Sequence, residues 1–184
     1  MKLEDYLKQL RVELNDDSFQ SMLTKIRETI DADGTIFLCG NGGSGSTASH
    51  FTNDLGKLVA HTIGHKIKAI SLSADPVMLT TLGNDCGYEA VFREQLHNLA
   101  RPGDLLIAFS GSGNSPNVVR AMEWCQRNDV YTIGMTGQIE PVNILAETAD
   151  LAFVVPSDSM QVIEDIHLMV THALCIGLMN DATV

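Results

Sequence analysis

The sequence predicts an α/β protein built on a parallel sheet that is covered by helices on both faces. Three observations carry this. From residue 35 onward, short apolar runs alternate with stretches of helical spacing, the order a parallel sheet requires. Two of those runs, Thr35-Ile36-Phe37-Leu38 and Leu105-Leu106-Ile107-Ala108-Phe109, end in turns of small residues that lead into helices. The chain has 184 residues, 45% hydrophobic and 19% charged, with no linker, low-complexity tract or composition break, so residues 1–184 read as one domain.

The elements follow in order. Leu3, Tyr6, Leu7, Leu10 and Leu14 keep helical spacing, as do Phe19, Met22, Leu23, Ile26 and Ile30. Residues 1–33 are therefore two amphipathic helices, or one broken near Asn15-Asp16-Asp17, closed by Asp33-Gly34. Strands are expected near 35–39, 67–71, 104–109, 130–135 and 150–155. Helices are expected near 44–57, 75–82, 88–99, 115–128, 141–147 and 160–180. The last of these is apolar on nearly every side, and a helix apolar all round is buried. It is either a subunit interface or the core helix of a monomer. The N-terminal helices also need partners, which favours an oligomer.

Composition narrows the function. The net charge is −11, from 12 Lys and Arg against 23 Asp and Glu, with no basic run. This argues against a nucleic-acid binder, which neutralises phosphates with clustered cations. Cys39, Cys86, Cys125 and Cys175 are scattered and form no CxxC pair, so the expected compartment is reducing. The start, MKLEDYLKQL, has no apolar signal core. The longest uncharged stretch, between Asp165 and Asp181, is too short to span a bilayer and contains two histidines. The expectation is a cytoplasmic protein with no membrane and no nucleic-acid partner.

The two small-residue turns are Cys39-Gly40-Asn41-Gly42-Gly43-Ser44 and Ser110-Gly111-Ser112-Gly113-Asn114-Ser115. Glycine lets backbone approach a ligand, and N–H groups at a helix start attract an anion. The second turn adds the hydroxyls of Ser110, Ser112 and Ser115. Each turn alone could be merely tight. Two on one sheet point to a small phosphorylated ligand held by donors rather than cations. Neither matches the GxGxxG fingerprint, so no nucleotide cofactor is expected.

His50 and Asp54, at i and i+4, share one helix face. Glu164 and His167 stand at i and i+3 on the last helix, with His172 roughly 12 Å beyond Glu164 along the axis. Imidazole with carboxylate suits proton transfer near neutral pH, and equally a divalent metal. His50 and Asp54 also read as an ordinary surface pair, and His167 reads as a satisfied core histidine. A single Glu-x-x-His in an α/β chain is not a di-iron site. Asn84-Asp85 reads as a turn and helix cap, or Asp85 accepts hydrogen bonds from sugar hydroxyls.

With these residues assembled, the chain resembles the sugar isomerase (SIS) domain proteins and, among them, the phosphoheptose isomerases. CGNGGSGSTASHF at 39–51, GNDCGYEAVF at 83–92, RPGDLLIAFSGSGNSPNVVRA at 101–121, MTG at 135–137 and EDIHLMVTH at 164–172 carry the resemblance, in order. It implies a three-layer α/β/α sandwich with a five-stranded parallel sheet. It implies a homotetramer with active sites between subunits, in which residues 1–33 pack. It implies conversion of sedoheptulose 7-phosphate to D-glycero-D-manno-heptose 7-phosphate through an enediol. Phosphate would sit on Ser110, Gly111, Ser112 and Ser115, helped by Asn41, Gly42, Gly43 and Ser44, with Asp85 near the sugar hydroxyls. Asp54 matches the base and His172 the catalytic histidine. Some members bind one Zn²⁺ through the residues matching His50, Asp54, Glu164 and His172.

This chain departs from that pattern twice: Asp54 stands where glutamate is expected, and Glu164 where glutamine is expected. The first shortens the base by one methylene. The second adds a carboxylate, making Glu164 an alternative base and the site more dependent on metal. The family's basic residue after the base has only Lys57 as a nearby counterpart. Two other functions fit the same resemblance: a non-catalytic phosphosugar-binding regulator of the initiator-binding type, and an isomerase of another sugar phosphate.

Overall fold

The structure is a computed structural model that describes residues 2–139 and 142–180. The chain opens with α1 (Leu3–Gln9) and α2 (Asp16–Asp31). Asn15 separates them because its side chain caps α2, accepting from Ser18 N–H at 2.9 Å, while Asp16 and Asp17 favour the same helix end. Asp33, at φ 57°, turns the chain out of α2 into β1 (Thr35–Gly40).

The order is then α3 (Gly42–Asn53), a π-helical turn (Asp54–Val59), α4 (Ala60–Ile63), β2 (Lys68–Ser71) and α5 (Pro76–Cys86). A 3₁₀ turn (Tyr88–Ala90), α6 (Val91–Leu99), β3 (Leu105–Ser110), α7 (Pro116–Gln126) and β4 (Tyr131–Gly137) follow. The chain ends with α8 (Ile144–Thr148), β5 (Leu151–Val155) and α9 (Met160–Asn180). Each expected strand and helix is present. Residue 141, where the sequence places the start of α8, lies outside the described residues.

The five strands run parallel in the order β2-β1-β3-β4-β5. Alternate residues feed two cores, as a pleated strand requires. Ile36, Leu38, Ile107, Phe109 and Met135 meet α2, α3 and α9, whereas Phe37, Cys39, Leu106 and Ala108 meet α6 and α7. These are the three layers of an α/β/α sandwich. After β1 the chain winds to one side as β2, then returns to the other as β3. The carboxyl ends of β1 and β3 therefore flank the point where the winding reverses, where such sheets hold ligands. Both small-residue turns open there.

Helix α9 is only partly buried by the single chain. It buries Val162, Ile163, Ile166, Val170, Leu174 and Leu178, but Met169 and Ile176 are 54% and 55% exposed, so the single chain does not enclose it. By length and composition alone it could cross a bilayer, yet half of its most apolar window is buried in the protein.

Glycines set how closely α3 meets the sheet. A Cβ on Gly45 would lie 2.8 Å from the Gly40 carbonyl oxygen, and one on Gly40 would lie 2.7 Å from the Ser44 backbone. Gly45→Ala should therefore lower stability by about 1–3 kcal/mol, the usual cost of overpacking. Urea unfolding of the variant beside Gly56→Ala, where a Cβ meets nothing within 4 Å, checks this.

Candidate active site

The first turn leaves β1 at Gly40, and α3 starts two residues later at Gly42, with Asn41 in its N-cap position. Gly42 has φ 53°, a left-handed conformation that other residues rarely adopt. Gly42, Gly43 and Ser44 form the first turn of α3, so their N–H groups have no intrahelical acceptor. This is the anion-attracting end of a helix of 12 residues.

The second turn is braced by its own hydroxyls. Ser110 Oγ donates to Ser115 Oγ at 3.2 Å and accepts from Gly113 N–H at 3.2 Å, while Ser112 Oγ accepts from Asn114 N–H at 3.3 Å. Gly113 has φ 72°, and a Cβ there would collide with Asn143. Ser115 is the N-cap of α7 but makes no side-chain capping bond.

Beside the turns, α3 and α9 bring an acid and two imidazoles together. His50 Nε2 lies 3.3 Å from Asp54 Oδ2, and His172 Nε2 lies 3.8 Å from the same oxygen. The two ring nitrogens are 3.2 Å apart. Asp54 opens the π-helical turn, a feature frequent at functional sites. Its side chain is 14% exposed, against 47% for each histidine, so the carboxylate forms the floor of the cluster.

Glu164 is not part of this cluster. Its carboxylate lies against Gly43, where a Cβ would collide with it, placing a fourth polar group at the first turn instead. The structure thus gathers three of the four residues expected to share a metal. Glu164 meets the start of α3 at Gly43, whereas His172, roughly 12 Å further along α9, meets its far end at His50 and Asp54.

Asp85 also sits differently from its cap reading. Helix α5 runs on to Cys86, so Asn84 and Asp85 occupy its last turn and Asp85 accepts from Asn84 Nδ2 at 2.7 Å. The cap of α5 is Asp75, which accepts from Val77 and Met78 N–H at 2.9 and 3.0 Å. Gly87, at φ 86°, ends the helix.

His167 is the core residue expected from its apolar surroundings, but it is only half satisfied. Nε2 lies 3.3 Å from the Thr136 carbonyl, which can only accept, so Nε2 carries the proton. Nδ1 is buried and has no hydrogen-bond partner among the described residues. The ring packs edge-on against Phe109 at 5.9 Å.

Three residues near the turns escaped the sequence reading. Asn41 and Asn117 exchange reciprocal amide bonds of 2.8 and 2.9 Å, Tyr88 OH donates to Asn41 Oδ1 at 2.8 Å, and Ser73 Oγ donates to the Gly40 carbonyl at 2.8 Å. The only signal of them was their nearness in sequence to the motifs, as in NSPN for Asn117 and NDCGY for Tyr88.

Fold and site together define a class: a doubly wound α/β protein with two anion-attracting turns at its switch point and an imidazole–carboxylate cluster beside them. The chain matches the SIS domain over residues 1–137. It is 40% identical over 147 residues to a phosphoheptose isomerase of Bordetella avium, covering 79% of this chain and 74% of that one. It is 38% identical over 164 residues to one of Helicobacter pylori, covering 86% and 83%. The structure of a phosphoheptose isomerase from Neisseria gonorrhoeae superposes with a TM-score of 0.80 at 31% identity, over 88% of this chain and 85% of that one. The chain belongs to the SIS-domain family, in its phosphoheptose isomerase branch.

Burial makes His167 a pH-dependent element of the fold, pushing its pKa from 6.5 down to about 4. The ring is neutral when folded but takes a proton near its ordinary pKa once unfolded. Its contribution is complete above about pH 6.5 and is lost as pH falls toward 4. Between pH 7 and 4.5 this costs about 2–3 kcal/mol. Denaturant unfolding at both pH values should show a shallower loss for His167→Leu than for the unsubstituted protein.

Proposed function

We propose that this protein is an aldose–ketose isomerase that converts sedoheptulose 7-phosphate to D-glycero-D-manno-heptose 7-phosphate. One observation carries the catalytic reading: His50, Asp54 and His172 offer ligand or proton-transfer atoms within 4.8 Å of one another. They lie on the helix that begins at the first turn and on the helix packed against it. A non-catalytic phosphosugar sensor needs the turns but not this cluster.

In this reading the phosphate binds the hydroxyls of Ser110, Ser112 and Ser115, the Gly111 backbone, and the N–H groups of the Asn41–Ser44 turn. That anchors the remote end of the sugar and holds C1 and C2 in place. Asp85 takes sugar hydroxyls. Asp54 removes the C1 proton of the ketose while His172 protonates the carbonyl oxygen at C2, giving the enediol. Loss of the O1 proton and return of a proton to C2 complete the aldose. Asp54 is favoured as base because it lies within hydrogen-bonding reach of an imidazole. Glu164, against the first turn, is the alternative.

The donor set also fits a divalent metal. Two imidazole nitrogens and one carboxylate oxygen suit Zn²⁺. Their separations of 3.2, 3.3 and 3.8 Å are close to the edge of about 3.3 Å for a tetrahedron of ligands at 2.0–2.1 Å. His50, Asp54 and His172 would hold the ion; as ligands Asp54 and His172 would no longer be free to act as base and acid, and the base role would then pass to Glu164. A bound metal would polarise the substrate carbonyl as a Lewis acid.

The enzyme is further proposed to be a cytoplasmic homotetramer, with residues 1–33 packed between subunits. Its four thiols are all free, consistent with a reducing compartment. Leu3, Leu7, Met169 and Ile176 are each more than half exposed, and a second copy would cover them.

An NMR time course of sedoheptulose 7-phosphate, with added Zn²⁺ and with chelator, tests the reaction. Aldose should form and should fall on chelation. Asp54→Asn should lower kcat by about 10²–10⁴-fold, the usual range for a general base. A comparable loss in Glu164→Gln, with Asp54→Asn nearly silent, would transfer the role to Glu164. Sedimentation of Ile176→Asp should show smaller species than the unsubstituted protein.

A further inference from the structure

The side chain of Asn41 is committed to the protein. Val118 N–H donates to Asn117 Oδ1 at 3.0 Å. A backbone N–H only donates, so that atom is the oxygen, and the Asn117 Nδ2 group must face Asn41. Asn117 Nδ2 therefore donates to Asn41 Oδ1, and Asn41 Nδ2 donates back to Asn117 Oδ1. The oxygen of Asn41 is thereby identified, and Tyr88, 2.8 Å from it, must be a donor as well. Both lone pairs of Asn41 Oδ1 and one of its two amide protons are occupied. Asn117 is 2% exposed, so its polar atoms have no solvent to fall back on.

The three partners belong to the three segments assigned to the substrate. Asn41 caps α3 in the first turn. Asn117 lies two residues beyond Ser115, in the first turn of α7. Tyr88 opens the 3₁₀ turn three residues after Asp85. Helix α5, which carries Asp85, buries none of its residues and ends at the left-handed Gly87. The tyrosine bond is thus a direct tie from this lightly held segment to the phosphate turns.

We propose that Asn41, Asn117 and Tyr88 form a positioning hub that holds the two anion turns and the Asp85 segment in register, and that the Asn41 amide is a clamp rather than a phosphate ligand. The inference rests on the isomerase reading and refines it: phosphate meets the Gly42–Ser44 N–H groups and the serine hydroxyls, aligned through Asn41. Tyr88 and Asn117 are positioning residues that act through Asn41.

A double-mutant cycle tests this with Tyr88→Phe, Asn41→Ala and the pair. Tyr88 is 58% exposed, so removing its hydroxyl leaves packing intact. Tyr88→Phe should raise KM for sedoheptulose 7-phosphate about 3–10-fold, the worth of one hydrogen bond, with kcat within about 2-fold and Tm unchanged. In the Asn41→Ala background it should add nothing. Calorimetric titration with inorganic phosphate should show the same non-additive weakening. Additive effects, or Tyr88→Phe with unchanged KM and phosphate affinity, would overturn the hub. An unsubstituted protein that binds phosphate but turns over no sedoheptulose 7-phosphate would instead count against the isomerase reading, and the phosphate titrations would still decide the hub.

Discussion

Between Gly40 and Gly45 the end of β1 and the first turn of α3 approach so closely that no side chain fits between them. Everything in the site is placed relative to this contact. It sets the free N–H groups of the first turn beside the end of β3, where the serine turn begins. It also sets the direction of α3, and so where His50 and Asp54 emerge two to three turns later. A strongly acidic chain can attract an anion here because the attraction is local: backbone dipoles and hydroxyls act at contact distance, while the net charge of −11 is spread over the surface and screened.

The second support is α9. Its Ile163 and Met160 occupy the space left by Gly137 and Gly111, where any Cβ would collide with them. One turn on, His167 donates to the Thr136 carbonyl at the end of β4. These contacts fix both position and rotation of the helix. His172 then faces Asp54 across α3, and Glu164 faces Gly43. Among the described residues, His167 Nδ1 is the one buried side-chain polar atom without a hydrogen-bond partner, a local cost in the core. The same helix presents Met169 and Ile176 outward, so the element that completes the cluster is also the one the single chain leaves uncovered.

Asp54 and Glu164, the two residues that depart from the pattern the resemblance implies, lie at opposite ends of α3. Asp54 is short, but it lies at the floor of the cluster, within 3.3 and 3.8 Å of the two imidazoles. Glu164 adds its charge at the helix N-terminus, where a carboxylate is electrostatically favoured.

Local pattern determined much of this protein. Strand order along the chain, the two small-residue turns and the i, i+4 pairing of His50 with Asp54 are legible because each depends on residues a few positions apart. The burial of His167 follows from its apolar neighbours. Residue pattern alone did not reveal the long-range amide and phenol bonds that join the turns: Asn41 and Asn117 are 76 residues apart, and Asn41 and Tyr88 47. His50 and His172, 122 residues apart, are brought together at the level of sequence only by the family resemblance. Their pairing depends on the switch in winding between β1 and β3 and on the packing of α9 across α3. The π-helical turn at Asp54 likewise has no local signature in the residues that form it. Glu164 shows the limit most clearly. Its spacing from His172 was plain in the sequence, but only the crossing of the two helices decided that it meets Gly43 rather than the imidazoles.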